Sequence, residues 1–232
     1  MQEELDRIKE RYAHRGQVVP ADKYLLTNPH ILLGVQEKER RMVKLLRKND
    51  LVPLRNKKIL EVGCGTGSNL LDFLRLGAQP ENMMGNDLLE NRIAVARKRL
   101  PDKVQLFCGD ASAQELEKES FDLILQSTVF TSILEDAMQE KLARRMWSQL
   151  NPGGYIIWFD ILHGNPYNPD VRAIPLKRIK MLFPQGTFQV ERVTLFPFIG
   201  QAVTRHVNFP YFILGTLPFL KMHLLCFIRK PA

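Results

Sequence analysis

Acidic residues are nearly missing from the last quarter of this 232-residue chain, where Glu191 alone stands against nine lysines and arginines between positions 171 and 232. A segment of that balance excludes a neutralised surface and suits an anionic partner or an interfacial one. Cysteine is scarce as well: Cys64, Cys108 and Cys226 sit in apolar or motif surroundings, with no C-x-x-C pair. A disulfide framework and a cysteine zinc site are thereby excluded, and a reducing compartment is expected. The opening Met1-Gln-Glu-Glu-Leu-Asp is acidic and has no apolar run, so no secretory signal is expected. The longest uncharged stretch near the end, Val207 to Leu220, has 14 residues and two prolines. It is too short and too broken to span a bilayer. No lysine occurs between Lys58 and Ala94, which excludes a P-loop.

What is present is ordinary in bulk. Hydrophobic residues make up 45% and charged residues 25%, as in a globular chain of one domain or one domain with an elaboration. The net charge of +8 is unevenly spread: +5 over residues 1–57, −5 over 58–170 and +8 over 171–232. The basic last part also holds eight of the thirteen phenylalanines.

The most informative stretch is Lys58-Ile-Leu-Glu-Val-Gly-Cys-Gly-Thr-Gly67. It reads as a buried strand (Ile59, Leu60, Val62) running into a glycine turn. A helix follows, with Leu70, Leu71 and Leu74 at helical spacing. Glycines at 63, 65 and 67 let the backbone bend sharply and a ligand approach with no Cβ in the way. Twenty residues on, Asp87 ends a second strand, Asn82 to Asp87, where a carboxylate is placed to accept both hydroxyls of a ribose. The dinucleotide fingerprint G-x-G-x-x-G fails, because its last position falls on Ser68. Glu61 just ahead of the glycines would repel a pyrophosphate and favour a cationic ligand, a sulfonium or an ammonium. The pattern Glu61-x-Gly63-x-Gly65-x-Gly67 therefore fits S-adenosylmethionine (SAM).

At these residues the chain resembles the class I SAM-dependent methyltransferases, and the resemblance runs over roughly residues 57–163. It implies an α/β doubly wound domain with a seven-stranded, mostly parallel sheet, N-terminal cap helices and an insertion between the last two strands. Residues 1–56 are expected as the helical cap and 57–232 as the SAM-binding core, with 161–220 carrying the substrate-side elements. The cofactor contacts implied are Glu61, Gly63, Cys64, Gly65, Gly67, Asp87, Leu88, Asp110, Ala111, Gln126 and Ser127, with S-adenosylhomocysteine as product. Asp110 would meet the exocyclic amine of adenine; it also suits an N-cap for a helix starting near Ala113.

Taken in order, residues 1–16 read as a helix (Leu5, Ile8, Tyr12), and a second helix starts after Asn28 with Pro29 first. In the resembling family such helices cover the cofactor cleft, which places Tyr12, Tyr24 and His30 to face the ligand. Leu88 to Leu100 reads as a helix, Val104 to Asp110 and Phe121 to Gln126 as strands three and four, and 133–150 as a helix. Asn151-Pro-Gly-Gly154 reads as the turn before a fifth strand, Tyr155 to Asp160. Gln126-Ser127-Thr128-Val129 stands where methyltransferases of nucleic-acid bases commonly carry Asn/Asp-Pro-Pro-Tyr/Phe, and no Pro-Cys nucleophile appears, so no nucleic-acid partner is expected. Pro175 to Leu182 reads as a helix, Phe188 to Phe198 and Met222 to Ile228 as strands six and seven, antiparallel at the sheet edge. Ile199 to Leu220 would then lie over the active site.

The loop from Ile161 to Arg172 follows the fifth strand and is expected to hold substrate contacts. Methyl transfer needs the acceptor held near the methyl carbon with water excluded, and a hydroxyl acceptor gains ~10²–10⁴-fold from a base. His163 is the candidate base, since histidine takes up and releases protons near neutrality. Tyr24, Asp160 and Arg172 are candidate substrate contacts, with Arg172 a clamp for an anionic group or a partner of Asp170. Arg205 and His206 are also placed to meet an anion, whereas His223 within an apolar strand reads as core. No acid cluster follows strand five, so no metal is expected. Asn168-Pro-Asp-Val-Arg172 and Met222 to Lys230 also resemble methyltransferases encoded with bacterial surface-glycan assembly enzymes. The expected acceptor is thus a small molecule, a hydroxyl of a glycan or glycan-lipid intermediate. Alternatives are a lipophilic quinone or polyketide phenol, and a SAM-binding protein without turnover. The expected location is cytoplasmic, with peripheral contact to the inner membrane surface through the basic, Phe-rich segment.

Overall fold

The computed structural model describes residues 2–20, 22–114, 116–164, 168–205 and 209–232, and of Phe209 only the backbone. His206 and the Asn165-Pro-Tyr167 part of the loop after strand five lie outside the described residues.

Seven strands form one sheet: β1 (Ile59–Val62), β2 (Met83–Asp87), β3 (Gln105–Cys108), β4 (Phe121–Ser127), β5 (Leu150–Ile161), β6 (Thr187–Leu195) and β7 (Lys221–Arg229). Their order is β3-β2-β1-β4-β5-β7-β6. The first five strands are parallel, and β7 runs antiparallel between β5 and β6. β1 is buried at all four positions, as expected of a central parallel strand covered on both faces.

Among the described residues eight helices accompany it: α1 (Gln2–Val18), α2 (Pro29–Lys48), α3 (Ser68–Arg75), α4 (Glu90–Arg99), α5 (Asp136–Gln149), α6 (Leu176–Leu182), α7 (Pro197–Thr204) and α8 (Phe209–Leu214). The pleat of the sheet sends alternate residues to opposite faces. Ile59, Leu123, Leu125, Ile157 and Phe227 pack with Met42, Leu45 and Leu46 of α2, Phe73 of α3 and Ile93 of α4. Leu60, Val62, Ile124, Ile156 and Trp158 pack with Met138, Leu142 and Met146 of α5, Ile179 of α6 and Ile8 of α1. The two faces make a three-layer, doubly wound domain. No described helix is long and apolar enough to cross a membrane.

Three local readings change. Leu150–Gly154 belongs to β5: Leu150 pairs with Phe121, and the register shifts before Leu123 meets Tyr155. The turn residues supply the irregularity, Gly153 with φ 75° and Gly154 where a Cβ would stand 2.9 Å from the Asp122 carbonyl oxygen. The sixth strand ends at Leu195, because Pro197 occupies the first turn of α7. Near Ala113 there is one turn and no helix: the Asp110 carbonyl accepts the N–H of Ala113 at 3.1 Å and the chain leaves.

Candidate functional site

The strand order reverses between β1 and β4, and an open α/β sheet has its ligand crevice at that point, beyond the carboxyl ends of the strands. A cavity of about 120 Å³ lies there. Its floor comes from Val62 and Gly63 at the end of β1, Asn86 to Leu89 at the end of β2, Gly109 to Ala111 after β3 and Ser127 to Val129 at the end of β4. Leu5, Ile8 and Tyr12 of α1 line it from the other side.

The glycine turn has the conformation that the sequence demanded. Gly63, Gly65 and Gly67 take φ of 69°, 55° and 83°, the left-handed region that side-chain-bearing residues avoid. A Cβ on Gly63 would stand 2.3 Å from Val129 Cγ2, and one on Gly67 would stand 2.7 Å from Leu100 Cδ1. At Gly65 the direction is open, the nearest atom being Arg92 Nη1 at 4.0 Å. Asp87, almost fully buried, fixes this turn. One of its oxygens accepts the Gly65 N–H at 2.8 Å and the other the Leu89 N–H at 2.9 Å. Each oxygen keeps a lone pair for a further donor.

Asp110 also lines the cavity, and its carboxylate accepts the Ser112 N–H at 2.8 Å and the Ser112 hydroxyl at 2.7 Å. Asn86 donates to the Gly109 carbonyl at 2.9 Å, which ties the ends of β2 and β3 together. Thr128 has φ 58°, a strained value for a β-branched residue. Its N–H bonds to the Phe159 carbonyl at 2.8 Å, which turns the chain after β4 into the wall of the cavity.

Of the expected cofactor contacts, Gly63, Asp87, Leu88, Asp110, Ala111 and Ser127 line the cavity, whereas Glu61, Cys64, Gly65, Gly67 and Gln126 do not. Cys64 is buried, its N–H on the Asn86 carbonyl at 2.8 Å, and burial pushes its thiol pKa far up. Gln126 points into the α5 face, accepting the Val129 N–H at 3.1 Å. Glu61 is fully buried on the opposite face. One oxygen accepts from Asn69 Nδ2 at 2.6 Å, and Lys38 donates to Asn69 Oδ1 at 2.8 Å. The other oxygen has no partner among the described residues, and burial raises the carboxyl pKa to about 7.

The expected substrate residues are dispersed. Tyr24 is 53% exposed, with Arg15 and Lys23 each 5.6 Å from its ring centre, and is absent from the cavity. Asp160 is buried on the α5 face and accepts the N–H groups of Thr131 at 3.2 Å and Ile161 at 2.8 Å, so its carboxylate is structural. Arg172 pairs with Asp136 and not with Asp170. His30, at the start of α2, abuts Gly200 of α7. His163 is exposed just past β5, its ring 5.2 Å from that of Phe196. His223 is core, stacked on Phe159 at 4.7 Å and bonded to Thr194 Oγ1 at 2.5 Å, and burial lowers its pKa to about 4. The insertion contributes no described residue to the cavity; α7 and α8 pack on α2 and the sheet edge through Leu33, Leu195 and Tyr211.

Two cavity residues escape a linear reading. Arg92 lies on the polar side of α4, yet its guanidinium sits 4.3 Å from the Tyr12 ring centre. Ser132 accepts or donates a hydrogen bond with the Tyr12 hydroxyl at 3.0 Å. Both meet a helix some 80 or more residues distant in sequence, and spacing carries no signal for that.

The comparisons with known proteins agree with this geometry. A family profile described as a methyltransferase domain matches residues 59–154. The phthiotriol/phenolphthiotriol dimycocerosates methyltransferase 1 of Mycobacterium ulcerans is 28% identical over 139 residues, 55% of this chain and 47% of that protein. The sterol 24-C-methyltransferase of Debaryomyces hansenii is 33% identical over 104 residues, 43% of this chain and 26% of that protein. The chain thus spans less than half the length of these relatives. Among solved structures, an S-adenosylmethionine dependent methyltransferase from Mesorhizobium loti superposes with a TM-score of 0.58 at 20% identity, covering 81% of this chain and 96% of that one. Residues 59–154 of this protein are a methyltransferase domain, and the fold that contains them is that of the class I, SAM-dependent methyltransferases.

Proposed function

We propose that the protein binds SAM in the cavity above β1 and β4 and transfers its methyl group to a small-molecule acceptor. The observation that carries this reading is the glycine turn held by the acid at the end of β2, with Gly65 bonded to Asp87, and Gly63 and Asp87 lining the cavity. The donor and acceptor set suits the ligand. Asp87 would hold the ribose, Asp110 and Ala111 the adenine, and Gly63 with Ser127 the amino-acid arm. When bound, the cofactor supplies a methyl group carried on a positively charged sulfur.

The chain itself positions and dehydrates. Leu5, Ile8 and Tyr12 add an apolar wall to the cavity, and exclusion of water strengthens every polar contact inside. The acceptor we infer is a hydroxyl of a glycan or glycan-lipid intermediate, with a nitrogen of His163 taking its proton. The exposed ring of His163 beyond β5 supports that role. A lipophilic quinone or polyketide phenol is the second reading; the Phe196 ring beside His163 favours it, as does the sterol acceptor in one relative's name.

Calorimetric titration with SAM and then S-adenosylhomocysteine tests the proposal. Micromolar binding of both is expected, and binding of neither overturns it. Labelled SAM offered with glycan, quinone and phenol acceptors then separates the two readings, while cofactor binding with no transfer to any would favour a protein without turnover.

A further inference from the structure

The insertion between β6 and β7 exposes apolar side chains that the fold does not use. Phe198 of α7 is 70% exposed, Phe212 and Ile213 of α8 are 48% and 54% exposed, and Phe219 just before β7 is 65% exposed. Leu25 and Leu26, 50% and 54% exposed, precede α2, whose His30 abuts α7 at Gly200. Exposed apolar side chains gathered on one insertion mark a binding surface.

Its surroundings are basic. Arg192 reaches the Pro218 carbonyl at 3.5 Å beside Phe219, Arg205 follows α7, and Arg40 of α2 stands near Tyr211 of α8. All three arginines are exposed, and none lies within ion-pair distance of a carboxylate among the described residues. Glu191, the lone acid of the last quarter, is taken by Arg41 at 3.0 Å and Lys44 at 3.4 Å. The other acid in reach, Glu37, is buried against Lys221. Phenylalanines with uncompensated arginines describe the chemistry of an anionic bilayer surface, where aromatic rings enter the interface and cations stay at the headgroups.

We propose that this face docks on an anionic membrane surface, with Phe198, Phe212, Ile213 and Phe219 inserted and Arg40, Arg192 and Arg205 against the headgroups. The face is continuous with the candidate acceptor side: Phe198 lies 5.7 Å from Phe196, whose ring lies 5.2 Å from His163. Docking therefore brings His163 to the lipid surface, and an acceptor anchored in the bilayer reaches it without leaving. That last step rests on the methyltransferase reading above; the docking itself does not.

Sedimentation of the full chain with vesicles is the test. Binding to vesicles containing phosphatidylglycerol is expected, with little binding to phosphatidylcholine alone and a decline with added salt. The Phe198→Ser/Phe219→Ser double variant should lower the partition coefficient by about tenfold or more. Each of Arg192→Gln and Arg205→Gln should lower it about fivefold. SAM titration of the same variants keeps the two proposals apart. Retained SAM binding shows a folded protein, and SAM binding without vesicle binding in the unaltered chain overturns the docking proposal alone. Vesicle binding without SAM binding leaves docking standing and removes the enzyme reading. Equal binding to neutral and anionic vesicles, or a dimer in solution that the double phenylalanine variant dissociates, overturns the proposal.

Discussion

Asp87 accepts the backbone N–H of Gly65 at 2.8 Å, so the acid that ends the second strand is part of the glycine turn that follows the first. The two motifs, 22 residues apart, act as one element. Asp87→Ala removes the anchor of the turn together with a cavity-facing acceptor. We expect SAM affinity to fall by about 1–3 kcal/mol, read by calorimetry on a variant whose circular dichroism is unchanged. Unaltered affinity in such a variant would place the cofactor elsewhere.

The cavity of about 120 Å³ is smaller than the ~300 Å³ or more of common ligand sites, and its roof is Tyr12, held by Ser132 and Arg92. An outward movement of α1 would widen it for loading. Tyr12→Ala breaks a hydrogen bond and a cation–π contact worth about 0.5–2 kcal/mol each. Stopped-flow measurement should show both association and dissociation of SAM quickened, with dissociation the more affected. Identical rates in the variant would mean that α1 is no gate.

Glu37 and Lys221 form a buried ion pair between α2 and β7, and Glu37 also accepts the Thr194 N–H at 3.1 Å. Lys221→Met leaves a carboxylate buried without its cation, which costs about 3–5 kcal/mol. Replacing both residues, Glu37→Gln with Lys221→Met, should recover much of the loss, since an uncharged pair has no such penalty. Denaturant titration of the three proteins checks the order, and a double variant weaker than Lys221→Met would contradict it.

Burial pushes Asp160 up to about 7, against the accepted N–H bonds that favour its charged form; an aspartate in the unfolded chain ionises near ~4. Between those values the folded protein keeps a proton that the unfolded chain has released. Stability therefore falls as pH rises from about 4 to about 7 and is level above. Glu61, raised to about 7 by burial, acts in the same direction. Asp160→Asn removes one of the two contributions. The variant should gain on the wild type by about 1–3 kcal/mol between roughly pH 5 and 8, and the constant cost of a lost acceptor cancels in that comparison. A gap that does not change with pH would show that Asp160 is ionised throughout.

Sequence periodicity located the strands and most helices because each buries one face or both, and the apolar spacing records which. It failed where a local signal served two purposes. Asn151-Pro-Gly-Gly154 has the chemistry of a turn, and here that chemistry makes an irregular stretch inside β5. At the site, the glycines and Asp87 were legible because a positive φ and a strand-ending acid are demands of the backbone. Glu61 and Gln126 stand outside the cavity because alternation along a strand turns neighbours to opposite faces, and the cavity opens on neither side chain.

The sequence by itself determined the glycine turn, the seven-stranded order of elements and the uneven charge, since these depend on local conformation and composition. Only the tertiary structure decided that, of the two expected cap helices, α1 lines the cavity while α2 carries the Phe-rich insertion, and that Asp160 and Arg172 serve the scaffold. Those outcomes rest on contacts between segments distant in the chain, such as Tyr12 with Ser132 and Arg172 with Asp136. Such contacts depend on which surfaces meet once the sheet has formed, and no spacing along the chain encodes that.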